Sequence, residues 1–266
     1  MKKLLALVVA SVMVFSMMAC GTEVASTESV VNDETKFVVG FDASFPPYGY
    51  VDESGEYVGF DLDLAAEVAK RNGWELVKTP IDWDAKDMEL NSGAIDCIWN
   101  GFTINGREDK YAWSDPYVDN SQVYVVAADS GIKTVADLAG KTVLVQADSS
   151  ALAALEAEDM AAVKATFKAL NQVPEYNTAF LDMEAGAADA VAMDIGVAKY
   201  QVESRGNKFV ILQETIATEQ YGVGFALDNT ALRDTVQATI NKMVADGTFA
   251  KIAKEWGLSD AVCLGK

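Results

Sequence analysis

Short apolar runs alternate with helix-like segments along most of this chain, and this alternation constrains the fold more than any other feature. The predicted strands lie at 37–41, 75–79, 95–100, 142–145, 190–193 and 209–212, with longer β-rich runs at 122–128 and 221–227. The predicted helices lie at 61–73, 85–92, 135–138, from 149 onward, and at 180–188, 195–204, 230–245 and 249–256. Alternation of this kind predicts an α/β fold built from βαβ units.

Two segments of the chain repeat each other. NSGAIDCIWNG at 91–101 and EAGAADAVAMD at 184–194 align without a gap, and each contains Gly-Ala and a strand with an aspartate at the same place. One weak repeat fits two similar lobes. We therefore expect lobe 1 at 36–126 and 221–266, lobe 2 at 127–220, and two hinge crossings near residues 127 and 220.

The N-terminus predicts export. Lys2 and Lys3 precede an apolar run that is too short for a comfortable membrane span, which is typical of a signal peptide at 1–19. Cys20 directly after Ala19 resembles a bacterial lipoprotein signal, which implies acylation of Cys20 by palmitate or a similar lipid and anchoring to the cell membrane. A plain secretory signal with an incidental cysteine is the alternative. Residues 20–35 are polar and predict a flexible tether outside the cytoplasm.

Composition excludes several classes of function. The formal net charge is −19, and removal of two lysines with the signal gives −19 − 2 = −21, which opposes nucleic-acid binding. The chain contains no histidine, so Ser-His-Asp hydrolases and His-ligated zinc enzymes are excluded. We expect no cofactor, no metal and a monomer. Besides Cys20, Cys97 and Cys263 could form a disulfide or remain two thiols.

Polar and aromatic residues follow the ends of the predicted strands, where ligands bind in open α/β sheets. These candidates are Asp42, Phe45, Trp83, Asn100, Gly101, Thr103, Arg107, Gln146, Ser149, Ser150 and Asp194. Arg107 suits a small carboxylate because its fork can bind both oxygens. A solvated arginine in a surface loop is the alternative reading for this position taken alone.

Five motifs resemble the amino-acid-binding solute-binding proteins of ABC importers, bacterial extracellular solute-binding protein family 3. They are FDASFPPYGYVDESGEYVGFDLDLAAEVAKRNG at 41–73, SGAIDCIWNGFTINGREDKYAWSDPY at 92–117, DLAGKTVLVQADSSA at 137–151, ADAVAMD at 188–194 and YGVGFAL at 221–227. The resemblance covers about residues 36–257. It implies a two-lobe periplasmic-binding-protein fold of type II. It also implies capture of a free amino acid between the lobes and its delivery to the transmembrane subunits of a permease.

The resemblance also implies a role for each candidate. Arg107 would bind the α-carboxylate with Thr103, Ser149 and the Ser150 amide. Asp194 and the Gly101 carbonyl would bind the α-ammonium. Phe45 and Trp83 would flank the side chain, whose polar end would face Asp42, Asn100 and Gln146. Thr103 and Arg107 are four residues apart, whereas the family spacing is five. We therefore expect Asn105 and Gly106 to form a tight turn.

The residual charge of the candidate pocket predicts the ligand class. Arg107 and Asp194 neutralise a zwitterion between them, and the remaining charges are Asp42 and Asp148, with no second cation among the candidates. An acidic side chain would meet like charge, so we expect glutamine, histidine, arginine, lysine or cystine rather than glutamate or aspartate. Two other functions stay open: a cyclohexadienyl-dehydratase-like cleft enzyme of the same fold, which needs a general acid or base, and a sensory ligand-binding domain.

Overall fold

A computed structural model of the chain describes residues 35–265, so the predicted signal peptide, Cys20 and nearly all of the tether lie outside the described residues. The strands are β1 (Lys36–Phe41), β2 (Ser44–Phe45), β3 (Gly49–Val51), β4 (Tyr57–Val58), β5 (Glu75–Pro80), β6 (Cys97–Thr103), β7 (Ala112–Trp113), β8 (Val118–Ala127), β9 (Thr142–Gln146), β10 (Ala169–Val173), β11 (Ala190–Asp194) and β12 (Phe209–Phe225).

Eight α-helices connect these strands within the described part of the chain. They are α1 (Phe60–Asn72), α2 (Lys86–Ser92), α3 (Ser150–Glu156), α4 (Ala161–Lys164), α5 (Tyr176–Glu184), α6 (Ile195–Ser204), α7 (Thr230–Ala245) and α8 (Thr248–Glu255). Short 3-10 turns lie at Trp83–Ala85, Val135–Leu138 and Glu158–Met160. No helix within residues 35–265 has the length and apolar character needed to cross a membrane.

The main sheet consists of two parallel blocks joined by two antiparallel strands. Its strand order is β10-β9-β11-β8-β12-β6-β1-β5, with β7 beside β12, while β2, β3 and β4 form a small separate sheet. Strands β5, β1 and β6 form one parallel block, and β10, β9 and β11 form the other. Strands β8 and β12 pair antiparallel with each other and with the two blocks. The predicted α/β class with two crossing segments is confirmed.

The repeated sequence corresponds to repeated structure. Asp96 precedes β6, and its carboxylate accepts a hydrogen bond from the Val38 amide at 2.7 Å while its own amide donates to the Val38 carbonyl at 2.8 Å. Asp189 precedes β11 and makes the same two bonds with Thr142, both at 2.9 Å. Each aspartate therefore fixes the start of a central strand against its parallel neighbour, which explains why both segments carry it at the same place.

Several element predictions differ from the structure. Strand β10 was not expected, because ALNQV lacks β-branched residues until its last position and is mostly exposed. Segments 209–212 and 221–227 belong to one continuous strand, β12, whose middle is polar. Helix α5 starts at Tyr176 rather than at residue 180. Helix α1 begins at Phe60 after Gly59, one residue before its predicted start, and it has no side-chain cap.

The cores explain where the strands lie. Strand β6 is buried along its whole length, as expected for a strand covered on both faces. Helix α1 packs its buried face, which includes Leu62 and Val68, into the largest cluster.

Cys97 lies in this core, whereas Cys263 lies near the C-terminus and donates its amide to the Tyr117 carbonyl. Cys97 and Cys263 are not joined by a disulfide, so the bridge hypothesis is wrong in this structure.

Candidate ligand-binding site

Nine of the eleven predicted site residues line one small cavity. They are Phe45, Trp83, Gly101, Thr103, Arg107, Gln146, Ser149, Ser150 and Asp194. Both parallel blocks of the sheet contribute, since Gly101 and Thr103 lie at the end of β6 while Gln146 and Asp194 end β9 and β11. These side chains lie together because the residues beyond the carboxyl ends of parallel strands meet at the same edge of the sheet.

Arg107 presents a guanidinium group with no carboxylate bonded to it among the described residues. Its two terminal nitrogens donate to the Thr103 carbonyl at 3.3 Å and the Asp148 carbonyl at 3.2 Å. The Phe102 ring lies 5.3 Å from the guanidinium carbon, within the range of a cation–π contact. The group is therefore oriented by neutral partners, and its charge remains available to an anion.

The loop before Arg107 forms the predicted tight turn. The Arg107 amide donates to the Ile104 carbonyl at 2.8 Å, and Gly106 between them has a φ of 78°. A glycine adopts this left-handed conformation without steric cost. The Asn105 side chain accepts a bond from the Gln220 amide at 2.8 Å, which joins the turn to β12. The shortened spacing between Thr103 and Arg107 is thus accommodated by Asn105 and Gly106.

The turn between β9 and α3 forms the opposite wall. The Ser149 hydroxyl caps α3 by accepting from the Leu152 amide at 3.1 Å, and it donates to the Gln146 carbonyl at 2.8 Å. Its single proton is thus directed at the backbone rather than at the cavity. The next amide, that of Ser150, begins the helix, where backbone N–H groups lack intrahelical partners. This wall therefore offers an amide donor at Ser150.

Asp194 is buried beside the cavity and accepts three hydrogen bonds on one oxygen. Its Oδ1 atom accepts from Asn120 at 2.8 Å, Gln122 at 2.7 Å and the Tyr221 hydroxyl at 2.6 Å. Burial, followed by the negative charge of Glu219, raises the pKa of Asp194 to about 7. The carboxyl group therefore changes protonation near neutral pH.

The sequence analysis missed Glu219, Asn120 and Gln122. Glu219 is buried, and its Oε1 atom accepts from Thr103 at 2.8 Å, from Asn120 and Gln122 at 2.7 Å, and from Ser150 at 3.3 Å. Asn120 lies opposite Glu219 in the pairing of β8 with β12, and Gln122 lies opposite Asp194 in the pairing with β11. These residues lie within crossing strands, not at strand ends, although their alternating positions on β8 were a usable signal.

Phe45 and Gly101 shape the interior of the cavity. The Phe45 ring is buried and lies 6.0 Å from the ring centres of both Tyr48 and Tyr176. Gly101 has a φ of 56°, and a Cβ atom there would lie 3.0 Å from the Phe45 ring. The Gly101 amide donates to the buried Asp61 carboxylate at 2.5 Å. Asp61 thus fixes the strand end whose carbonyl was predicted to meet the ligand ammonium.

Asp42 and Asn100 do not line this cavity. The Asp42 carboxylate accepts from the Gln146 side chain at 2.7 Å and from the Ser44 amide at 2.8 Å. Burial is the main cause that raises the pKa of Asp42. Asn100 is buried, and its Oδ1 atom lies next to Gly49. The prediction that Asn100 faces the ligand side chain therefore lacks geometric support.

A second, acidic cavity adjoins the first at Trp83. Its lining includes the carboxylates of Asp42, Asp82, Asp84, Glu89 and Glu175. The lining contains no lysine or arginine. Trp83 lines both cavities.

Lys86 supplies a second cation that the sequence analysis did not expect. Its buried ammonium pairs with the Asp148 carboxylate, donates to the Trp83 carbonyl at 3.2 Å and lies 5.1 Å from the Trp83 ring centre. Burial is the main cause that lowers the pKa of Lys86. Lys86 therefore neutralises Asp148 locally. The sequence analysis counted Asp148 as uncompensated negative charge of the pocket, and that count is one charge too high.

The architecture defines the class of protein. Two parallel blocks joined by two antiparallel strands, with a cavity at the strand ends, form the type II periplasmic-binding-protein fold, as predicted. The chain belongs to the bacterial extracellular solute-binding proteins, family 3, which it matches over residues 37–259. Within residues 35–265, no group of three or more acidic or cysteine side chains is arranged to hold a metal ion.

Individual relatives cover nearly the whole chain. The L-cystine-binding protein TcyJ of Escherichia coli strain K12 is 28% identical over 229 residues, 85% of this chain and 84% of its own length. The arginine-binding extracellular protein ArtP of Bacillus subtilis strain 168 is 28% identical over 96% of this chain and 98% of its own. A substrate-binding protein of an ABC uptake transporter from Streptococcus pneumoniae, solved with bound histidine, is similar with a TM-score of 0.82 and 35% identity over 86% of this chain and 95% of its own.

Proposed function

We propose that this protein is the extracytoplasmic amino-acid-binding component of an ABC-type importer. It captures a free amino acid between its two predicted lobes and delivers it to the transmembrane subunits of the permease. One observation carries the proposal: the Arg107 guanidinium and the Asp194 carboxyl group line the same small cavity from opposite walls. An α-carboxylate and an α-ammonium are complementary to these two groups.

The α-carboxylate binds the Arg107 fork and the Ser150 amide in this proposal. Arg107 contributes charge-assisted bonds because its described partners are carbonyls and a ring. The α-ammonium binds Asp194 and the carbonyl of Gly101. Phe45 and Trp83 flank the side chain, and both are ring systems that line the cavity. The Thr103 hydroxyl bonds to Glu219, so it serves the carboxylate less directly than predicted.

The ligand side chain is polar or basic in this proposal. The side chain passes Trp83 toward a cavity whose charged lining residues are all acidic. Asp148 no longer counts toward that preference, because Lys86 neutralises it. Asp42 and the neighbouring carboxylates remain, and they attract a cation or accept hydrogen bonds while they repel glutamate and aspartate. Relatives named for cystine and arginine, and a similar structure with histidine, agree with this class.

A ligand screen tests the function directly. Thermal unfolding of the processed protein is measured with each common L-amino acid and with cystine, followed by calorimetry of those that stabilise it. We expect stabilisation by at least one polar neutral or basic amino acid. If no amino acid stabilises the protein, the proposed function is contradicted. Tighter binding of glutamate or aspartate than of any polar or basic amino acid would contradict only the ligand class.

An enzymatic role is the second candidate, because one observation favours it. Asp194 has a pKa near 7 in a cleft, which is the property of a general acid or base. The relatives reported above are named as binding proteins, which favours the transport function. Incubation with cyclohexadienyl acids distinguishes the two functions, since turnover would establish an enzyme.

Membrane anchoring is a separate part of the proposal. Cys20 carries the lipid, residues 1–19 are removed, and residues 20–35 hold a monomeric binding body at the membrane surface. A diacylated cysteine supplies the two chains that stable anchoring requires. Mass spectrometry of the mature N-terminus should find a lipidated Cys20, and Cys20→Ser should release the protein or leave the precursor uncleaved. An unmodified mature N-terminus at another residue would contradict anchoring.

A further inference from the structure

Asp194 and Glu219 form a pair of buried carboxyl groups that share their hydrogen-bond donors. Gln122 donates to both carboxyl groups at 2.7 Å, and Asn120 donates to Asp194 at 2.8 Å and to Glu219 at 2.7 Å. The side chains are only 3% and 7% exposed. One ammonium group requires one carboxylate, so the second carboxyl group is unexplained by the binding of a zwitterion.

The surroundings of the pair contain little positive charge. Tyr48, Tyr176 and Tyr221 face it from the β2–β3 turn, α5 and β12, and burial raises the pKa of each phenol well above its usual value, so all three stay neutral. Arg107 lines a cavity with each member of the pair, and the exposed Lys110 lines one with Glu219.

The more distant charges do not neutralise the pair. Lys86 is bonded to Asp148, and Asp42 and Asp61 are further carboxyl groups that act on the same tyrosines. Arg107 and a ligand α-carboxylate cancel each other, so Arg107 cannot balance two carboxylates once an amino acid is bound. Two like charges this close and this buried cannot both ionise easily, and one proton stays on the pair.

We propose that Glu219 is the second carboxyl group of the ammonium subsite, and that the Asp194–Glu219 pair releases a proton when an amino acid binds. The inference rests on the proposed function. The α-ammonium keeps its three protons and brings a positive charge against the pair. This charge favours the doubly ionised pair, the O–H bond of the shared proton breaks, and the proton passes to solvent. Amino-acid capture is therefore weaker in acid.

The hydroxyls beside Glu219 identify the role as positioning. Thr103 and Ser150 donate to Glu219, which holds its carboxyl group between the predicted carboxylate and ammonium subsites. The amide nitrogens of Asn120 and Gln122 donate to both carboxyl groups, and a turned amide would place its oxygen against the carboxylates instead. The amides consequently stabilise negative charge on the pair, which prepares it to ionise.

Calorimetry of the processed protein tests the inference. The probe is whichever of L-arginine, L-lysine and L-glutamine binds most tightly, because their side chains do not change charge between about pH 6 and pH 8. Titrations in two buffers of different ionisation heat give the number of protons released. With a pKa of about 7 for Asp194, we expect nearly one proton released at pH 6 and a Kd about 10-fold weaker at pH 6 than at pH 8.

Glu219→Gln is the decisive variant, because it keeps the shape and removes the acid. We expect fewer protons released and a weaker pH dependence of Kd than in the wild type, because the charge next to Asp194 is lost while burial still raises the pKa of Asp194. Glu203→Gln, the same change on the exposed face of α6, should behave like the wild type. Proton release in Glu219→Gln equal to that of the wild type would overturn the role of Glu219.

The wild type alone can also overturn the inference. Tight binding without proton release at pH 6 would do so, even if Glu219→Gln failed to fold, while the proposed function would survive. If none of the amino acids binds, the proposed function itself is contradicted. The two failures are thus distinguishable.

Discussion

The two ends of the cavity hold opposite charges in opposite ways. At one end, the Arg107 guanidinium is partly exposed and bonds two carbonyls at 3.2–3.3 Å. At the other end, Asp194 is buried and accepts three bonds of 2.6–2.8 Å beside a second carboxyl group. Arginine keeps its charge in any protein environment, whereas a carboxyl group can take up a proton.

This difference separates affinity from regulation. The arginine end binds an anion at every physiological pH, because no proton has to leave. The aspartate end must ionise before it binds a cation, so its contribution depends on pH. We therefore expect substitutions at the arginine end to weaken binding uniformly, and substitutions at the aspartate end to weaken it and change its pH dependence.

Arg107→Ala should have the largest effect on binding. Loss of a charge-assisted pair that is shielded from water should weaken amino-acid binding by on the order of 2–5 kcal/mol. The loss should be the same at pH 6 and pH 8, as measured by calorimetry. Lys110→Ala removes a nearby exposed cation and serves as the control. Equal losses in both variants would show that general positive charge, rather than the Arg107 fork, binds the ligand.

Asp194→Asn should have the next largest effect. The variant keeps the shape but loses the charged acceptor of the ammonium, which should cost about 2 kcal/mol, or roughly 30-fold in Kd at pH 8. The loss should be smaller at pH 6, where the wild-type pair already carries a proton. A loss that does not change with pH would remove the distinction between the two ends.

Asp61→Asn is the matched control for that variant. Asp61 is fully buried, and burial raises its pKa to about 7, as for Asp194, but its carboxylate accepts from the Gly101 amide and the Tyr117 hydroxyl and does not itself line the cavity. Affinity should stay within about threefold of wild type. Because the folded pKa lies above the unfolded value, the contribution of Asp61 to stability falls as pH rises from about 4 to about 7. The free energy of unfolding, measured with urea at several pH values, should therefore depend less on pH in Asp61→Asn than in the wild type over that range.

The sequence predicts the frame of the fold well and its edges poorly. Central strands such as β1, β6 and β11 were found because they are apolar and end in polar residues, and Thr230–Ala245 was predicted with its observed bounds. Strand β10 lacks β-branched residues until its last position, and the middle of β12 is largely polar and exposed, so neither has the hydrophobic pattern of a strand. Pairing with β9 and β8, rather than local propensity, makes them strands.

The same reasoning explains which site residues were found. Residues at strand ends, such as Arg107 and Asp194, follow one topological rule, so the sequence locates them. Glu219 and Gln122 lie inside crossing strands and face the site only through the pairing of β8 with β11 and β12. Lys86 lies on α2 and pairs with Asp148 across the cavity, which no local pattern predicts. Site residues that depend on contacts between distant segments of the chain therefore cannot be predicted from local sequence patterns.

The ligand side chain should contribute less than either charged end. Asp42→Asn removes one carboxylate of the acidic cavity, and we expect it to lower the preference for L-arginine over L-glutamine by about 1 kcal/mol. The preference is measured as the ratio of two Kd values at one pH, and the affinity for L-glutamine should change little. Asp159→Asn, an exposed aspartate outside the cavity, is the control. An unchanged ratio would contradict a role of Asp42 in ligand choice.

Lys86→Met should have the smallest effect on binding. Lys86 lies on α2, which packs against β1 and β6, while Asp148 follows β9 of the other block, so their ion pair joins elements of the two blocks. The Asp148 side chain is 57% exposed, and an ion pair with one exposed partner contributes about 0.5 kcal/mol, or roughly twofold in Kd. Methionine preserves the apolar stem against the Trp83 ring.

The reverse variant sharpens this last prediction. Asp148→Asn leaves a buried ammonium without its carboxylate, which costs more than exposing an unpaired aspartate. We therefore expect Asp148→Asn to lower the free energy of unfolding more than Lys86→Met does. The binding effect of Lys86→Met should fade in about 0.5 M salt if the pair is screened. A tenfold weakening that is insensitive to salt would instead place Lys86 in direct contact with the ligand, and the cavity would then have a second cationic end.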